Sequence, residues 1–304
     1  MCIRDRDSLL SIQNLSKSYG KIKALKGLDI EIKPGKVYGL LGPNGSGKST
    51  TLGIVLDIIE SDQGQFNWFK NKYGQQYRKH IGATLETPNF FPYLDAMDNL
   101  EIVAHIKQIE SPDYTSALKL VNLYERRNSP FKTYSFGMRQ RLAIAAALLG
   151  DPEVVIFDEP TNGLDPQGIA EIRDILIKIS RTGKTIFMAS HILDEVEKIC
   201  SDVIILNKGQ LLAQGTVGSV MDTNLIIEIS CDDLEKAQSI LLHMPGIKSA
   251  EIAGQNLILS CEQDIKTSMI NKYAFEQGIL LSSLNIKKTR LEDEFLEIVK
   301  EHNS

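Results

Sequence analysis

Long apolar runs are missing from this sequence of 304 residues. The longest, Leu142 to Leu149, is fenced by Arg141 and Asp151 and falls far short of the ~20 apolar residues with which a helix crosses a bilayer. Met1-Cys2-Ile3-Arg4-Asp5-Arg6-Asp7 has no apolar stretch of the kind a secretory signal needs, and residues 1–8 read as a polar tail. Excess positive charge is missing as well. Lys and Arg number 34 against 39 Asp and Glu, a net charge of −5. That gives no electrostatic reason to expect a nucleic-acid partner, because neutralising phosphates takes a clustered basic face. The four cysteines, Cys2, Cys200, Cys231 and Cys261, lie too far apart for a CxxC pair or a zinc knuckle and are expected to be reduced thiols of a cytosolic chain. What remains is 42% apolar and 24% charged, an ordinary globular balance that excludes disordered and fibrous designs. At about 150 residues per domain, the length fits two domains or one large α/β unit. The expected place of work is the cytoplasm, free or as a bound peripheral subunit.

Two alternating segments, Leu9–Ser18 and Ala24–Lys33, read as strands joined near Gly20. Lys36–Leu41 is a short apolar strand, a glycine-rich loop follows, and Ser49–Ile59 has helical spacing. Gln65–Phe69 and His80–Glu86 read as further strands, and Asp95 to Gly150 as a helical region. Strands at Val154–Phe157, Thr185–Ala189 and Val203–Asn207 then alternate with helices at Pro166–Ser180 and Leu193–Cys200. Such alternation implies a mostly parallel sheet with helices on its faces. Beyond a linker at Gly215–Asp222, strands at Leu225–Ser230, Ile247–Ala253, Leu257–Cys261 and Ile279–Ile286 and helices at Leu234–His243, Ile265–Glu276 and Leu291–His302 follow one another as βαββαβ, with one further helix. That order suits a small ferredoxin-like sandwich over residues 224–304.

The loop Gly42-Pro43-Asn44-Gly45-Ser46-Gly47-Lys48-Ser49, followed by Thr50, fits G-x-x-x-x-G-K-S/T between a strand and a helix. Gly45 and Gly47 permit backbone angles that other residues resist. Consecutive N–H groups can then curl around phosphate oxygens as a nest, and the new helix turns its positive dipole end toward the same oxygens. Lys48 adds a point charge at the β- and γ-phosphates, and the Ser49 hydroxyl is a Mg²⁺ ligand. The alternative is an ordinary glycine-rich βα turn, which needs neither the lysine nor the hydroxyl. Further on, Val154-Val155-Ile156-Phe157-Asp158-Glu159 is an apolar strand ending in two carboxylates. Asp158 can hold the Mg²⁺ hydration shell, and Glu159 can orient or deprotonate an attacking water. Acid pairs also begin helices, and only the phosphate loop upstream tips the reading toward catalysis.

These residues, with what lies between them, resemble the ATP-binding subunits of ABC transporters over about residues 9–217, with a helical subdomain at about 87–150. Tyr134-Ser135-Phe136-Gly137-Met138 before Arg139-Gln140-Arg141 resembles the family's signature loop. Asn162-Gly163-Leu164-Asp165-Pro166 resembles its D-loop, His191 its switch histidine, and Tyr19 the aromatic that stacks on adenine. The resemblance implies an α/β P-loop ATPase that uses ATP and Mg²⁺. Two copies, or this chain and a paired ATPase subunit, would associate head to tail, with each ATP held between the phosphate loop of one and the signature of the other. Ser135, Gly137 and Asp165 would then act in trans, while His191 would contact the γ-phosphate and attacking water. From the residues alone, Ser135 is equally an N-cap, Tyr19 a core aromatic and His191 a structural histidine.

Two departures stand out. Phe136 and Met138 replace the third and fifth residues of the family's usual LSGGQ, and Glu86 stands where the family has its Q-loop glutamine, a further oxygen for Mg²⁺. A carboxylate there is a harder, charged ligand without the amide donor, or else a strand-end acid facing solvent. Glu86-Thr87-Pro88-Asn89-Phe90-Phe91-Pro92-Tyr93, with the Phe136 signature, is similar to exporters of antimicrobial peptides such as bacitracin and lantibiotics. The resemblance implies a separate transmembrane permease, a site of work at the cytoplasmic face of the cell membrane, and a groove lined by Phe90, Phe91 and Tyr93 for the permease. Those aromatics are otherwise packing. The C-terminal segment carries no catalytic spacing and reads as a regulatory or dimer-supporting module or a passive extension. Two other classes compete: a soluble ABC ATPase acting on ribosomes or DNA, and a P-loop enzyme outside the family, such as a kinase.

Overall fold

The computed structural model describes residues 8–85, 88–220, 225–262 and 265–287, together with Phe295 and Ile298. They fall into two compact units, one ending at Thr216 and one beginning at Val217.

The first unit opens with β1 (Leu10–Tyr19) and β2 (Ile22–Ile32), paired antiparallel from Leu10 against Ile32 to Tyr19 against Ile22. β3 (Val37–Leu41) leads through the glycine loop into α1 (Lys48–Val55). β4 (Gln63–Trp68) then returns to the other edge of β1, completing a three-stranded antiparallel sheet. The helix α1 stops four residues before the expected Ile59. Its last carbonyl, that of Val55, accepts a hydrogen bond from the Trp68 indole at 2.7 Å, and Asp57 turns left-handed with φ 59°. A tertiary donor thus caps what the apolar spacing would have continued.

β5 (Ile81–Thr84) precedes the helical region of α2 (Ala96–Lys107), α3 (Tyr114–Leu120) and α4 (Phe136–Leu148). Next come β6 (Val154–Asp158), α5 (Pro166–Ser180), β7 (Thr185–Ser190), α6 (Leu193–Ile199), β8 (Asp202–Asn207) and β9 (Gln210–Thr216). They build a six-stranded sheet of order β5-β6-β7-β3-β8-β9. Its first five strands run parallel and β9 antiparallel. Every residue of β3, β6, β7 and β8 is buried, as expected of parallel strands covered on both faces. β9 was not legible as a strand. It is a half-exposed edge, joined to β8 by the Lys208-Gly209 turn, and its last two residues, Gly215 and Thr216, fall in the expected linker.

The second unit begins with the short α7 (Val217–Val220). β10 (Leu225–Cys231), α8 (Leu234–Leu241), β11 (Ile247–Ala253), β12 (Asn256–Cys261), α9 (Thr267–Glu276) and β13 (Leu281–Lys287) follow. The sheet order β11-β12-β10-β13 is antiparallel at every pair, the split βαβ arrangement of a ferredoxin-like sandwich. Ile227, Ile229, Leu257 and Leu259 alternate into its core with Leu241 and Ile270 of the helices. The helix expected over Leu291–His302 lies outside the described residues except for Phe295 and Ile298, both helical. Among the described residues, no helix is long and apolar enough to cross a membrane.

Candidate functional site

Strand register brings the chemistry to one edge. Leu41 of β3 lies opposite Ser190 of β7, and Asp158 of β6 opposite Ala189. The next residues along each strand, Gly42, His191 and Glu159, therefore leave the sheet side by side at its carboxyl end, where ligands of open α/β sheets bind.

The phosphate loop is tightly built. A β-carbon on Gly42 would fall 2.3 Å from the Leu206 carbonyl oxygen, so only glycine fits between β3 and β8. Gly47, at φ 108°, is the N-cap residue of α1, where a β-carbon would meet Leu25 at 2.6 Å. With no side-chain cap and no acid in its first turn, α1 leaves its leading N–H groups and dipole end to a ligand. Lys48 is buried, and its ammonium donates to the Gly42 carbonyl at 2.8 Å and the Pro43 carbonyl at 3.4 Å. Ser46 is buried behind the loop, whereas Pro43, Asn44, Gly45 and Ser49 are exposed and Thr50 half-buried.

Glu159 faces this loop. Its backbone is left-handed (φ 51°), and its N–H donates to the Ala189 carbonyl at 3.0 Å, carrying the β6–β7 pairing one residue past the strand. One carboxylate oxygen lies 3.7 Å from the Lys48 ammonium. The other is 2.7 Å from Nδ1 of His191 and accepts the His191 backbone N–H at 3.3 Å. Glu159 and His191, with Asn44, Gly45, Gly47, Lys48, Ser49, Thr50 and Asn162, line an open pocket of about 360 Å³. Asp158 ends β6 as a buried carboxylate. The oxygen donors Ser49 and Asp158 suit a hard cation. Mg²⁺ typically takes one or two carboxylates and completes its shell with water and phosphate.

The ABC transporter family model matches residues 25–162. The bacitracin transport ATP-binding protein BcrA of Enterococcus faecalis is 33% identical over 301 residues, covering 96% of each chain. The lantibiotic transport ATP-binding protein SrtF of Streptococcus pyogenes is 37% identical over 206 residues, 68% of this chain and 90% of that one. Among solved structures, the dimeric ATP-binding cassette MJ0796, in a post-hydrolysis state bound to ADP and Pi, matches with a TM-score of 0.61 and 28% identity, over 68% of this chain and 98% of that one. The chain belongs to the ATP-binding subunits of ABC transporters. ABC cassettes bind and hydrolyse ATP, and this one is an ATPase coupled to transport. The ribosome- or DNA-directed alternative is not favoured.

In this ABC cassette Ser135, Gly137, Asp165 and Tyr19 lie outside the lining of the pocket. Ser135 is the N-cap of α4, accepting from Met138 N–H at 3.2 Å, and Asp165 is the N-cap of α5, accepting from Gly168 N–H at 2.9 Å. Tyr19 is 48% exposed at the end of β1 rather than packed in the core. The preceding residues are pinned by Asp62, which accepts from Lys17 Nζ at 3.1 Å and Ser18 N–H at 2.6 Å. Glu86 and Thr87 lie outside the described residues. Of the aromatics, Phe90 packs edge-on against Phe131, whereas Phe91 and Tyr93 are exposed. Buried Asn99 holds their segment, accepting from Phe91 N–H at 2.8 Å and donating to the Asp95 carbonyl at the same distance. Two residues escaped the site reading. Asn162 joins the pocket through the turn that its N–H closes on the Glu159 carbonyl at 3.1 Å, a residue that opens the D-loop motif but was given no role of its own. Asn99 had no sequence signal, being one polar residue within a helix.

Proposed function

We propose that this subunit powers export of peptide antibiotics of the bacitracin and lantibiotic kind through a separate membrane permease, from the cytoplasmic face, by ATP-driven head-to-tail dimerisation. The names of BcrA and SrtF support the substrate class, and the dimeric state of MJ0796 supports the assembly. Exposed Phe91 and Tyr93 are the side chains offered to the permease, since aromatics are enriched at interfaces.

One observation carries the hydrolytic reading: the Glu159 carboxylate sits between the Lys48 ammonium and the His191 ring, at the bare N-terminus of α1. The loop N–H groups and Lys48 bind the β- and γ-phosphates. Glu159 accepts the proton of the water that attacks γ-phosphorus, and His191 holds that carboxylate in place. Ser49 and Asp158, with Glu86, would supply oxygen atoms to hold Mg²⁺, which when bound would neutralise charge on the transferring phosphoryl group. Ser135, Gly137 and Asp165 of the second copy complete the site, and Tyr19 of the first copy stacks on the adenine ring. The Ser135 hydroxyl accepts from Met138 yet keeps its own proton to donate to phosphate.

Glu159→Gln is expected to bind ATP, dimerise and lose roughly 10²–10⁴-fold in turnover, the usual worth of a general base. Steady-state ATPase and sedimentation with ATP measure this. Wild-type turnover in that variant sinks the assignment of the base.

A further inference from the structure

Phe136 takes the place of a glycine in the family's usual signature, and the chemistry described so far leaves its ring without a task. It is the first residue of α4 and 42% exposed. Its ring lies on Gly163, where a β-carbon would stand 3.3 Å from Cε1 and 3.8 Å from Cζ. Gly163 has φ 76°, so it presents a flat backbone face that no other residue supplies at low cost. Beside that contact, a β-carbon on Gly137 would stand 3.6 Å from Leu164 Cδ2. Behind it, Arg141 of α4 pairs with Glu171 of α5 at 3.6 Å. The segments that carry Ser135 and Gly137 on one side and Asp165 on the other therefore meet through an aromatic ring seated on a glycine.

We propose that Phe136 is a positioning residue that locks the start of α4 to the turn before α5, so that Ser135, Gly137 and Asp165 meet a second copy's nucleotide as one rigid surface. This rests on the reading that those three residues act in trans. A glycine at 136 would remove the ring and leave each segment to order itself when the copies close. The ring makes many small dispersion contacts and has only two side-chain torsions to fix. Ordering of the trans surface thus precedes association and does not have to accompany it.

The test uses the full chain carrying Glu159→Gln, with ATP, and reads dimerisation by analytical ultracentrifugation and nucleotide binding by a fluorescent ATP analogue. Adding Phe136→Ala is expected to weaken ATP-dependent dimerisation about tenfold while analogue binding to the monomer stays unchanged. Phe136→Tyr restores dimerisation. Gly163→Ala separates the contact from general strain at a positive φ. With Phe136 present its β-carbon displaces the ring, and with Phe136→Ala that part of its cost disappears. A smaller fold-loss from Gly163→Ala in the Phe136→Ala background supports the lock. Equal losses in both backgrounds overturn it, as does full dimerisation in Phe136→Ala. If the parent Glu159→Gln chain stays monomeric with ATP, the trans reading fails and the proposal falls with it.

Discussion

Two kinds of helix start serve this ATPase, and they differ in what occupies the first turn. α1 begins at Gly47 with no side chain over its N–H groups. α4 and α5 begin under their own oxygens, Ser135 and Asp165, each accepting from the N–H three residues on. A bare start leaves donors and dipole for a triphosphate, whereas a capped start has already spent a donor and, at Asp165, carries a negative charge. In the proposed head-to-tail assembly, the cis half of the site would bind phosphate through its backbone. The trans half would work through what the caps can still offer.

The largest effect is expected on the bare side. Lys48→Ala removes the only ammonium among the pocket-lining residues and should weaken ATP binding about 10- to 100-fold, the worth of a charge-assisted contact, as titration with a fluorescent analogue would show. Unaltered affinity would mean that the N–H groups suffice. On the capped side, Ser135→Ala should lower unfolding free energy by about 1 kcal/mol through loss of the cap and also slow turnover. Ser135→Asp sharpens this. Aspartate caps as well as serine, so denaturant unfolding should return to the wild-type midpoint, while its charge keeps ATPase low. Recovery of both would reduce Ser135 to a cap.

The smallest effect on turnover is expected at the far end of α4. Lys107 of α2 donates to the carbonyls of Ala146 at 2.9 Å, Ala147 at 3.2 Å and Leu149 at 3.4 Å, closing the C-terminus of the helix whose N-terminus is the signature. Burial pulls its pKa down to about 8. The folded chain then releases this proton before the unfolded chain does, so the unfolding free energy gains from rising pH between about 8 and about 10.4. Urea unfolding across that window should show the gain in wild type and not in Lys107→Met. Parallel curves would remove Lys107 from the pH response.

Legibility followed the range of the interactions. The phosphate loop was readable because its glycines, lysine and hydroxyl act within one turn of backbone. The apolar runs of β3, β6 and β7 were readable because burial on both faces leaves no polar positions. The end of α1 was not, because the Trp68 indole that caps it arrives from another strand. β9 was hidden by its half-exposed, weakly patterned edge. The contact between Phe136 and Gly163 joins two short motifs that are each legible and whose adjacency is not.

By itself, then, the sequence determined which groups could grip a triphosphate and, β9 apart, the order of the main strands and helices, since both are properties of neighbouring residues. Only the tertiary structure decided that Glu159 stands between Lys48 and His191 and that Tyr19, Ser135 and Asp165 stand outside that pocket. Which loops share an edge depends on strand order and register across the sheet, and those are set by packing among residues far apart in the chain.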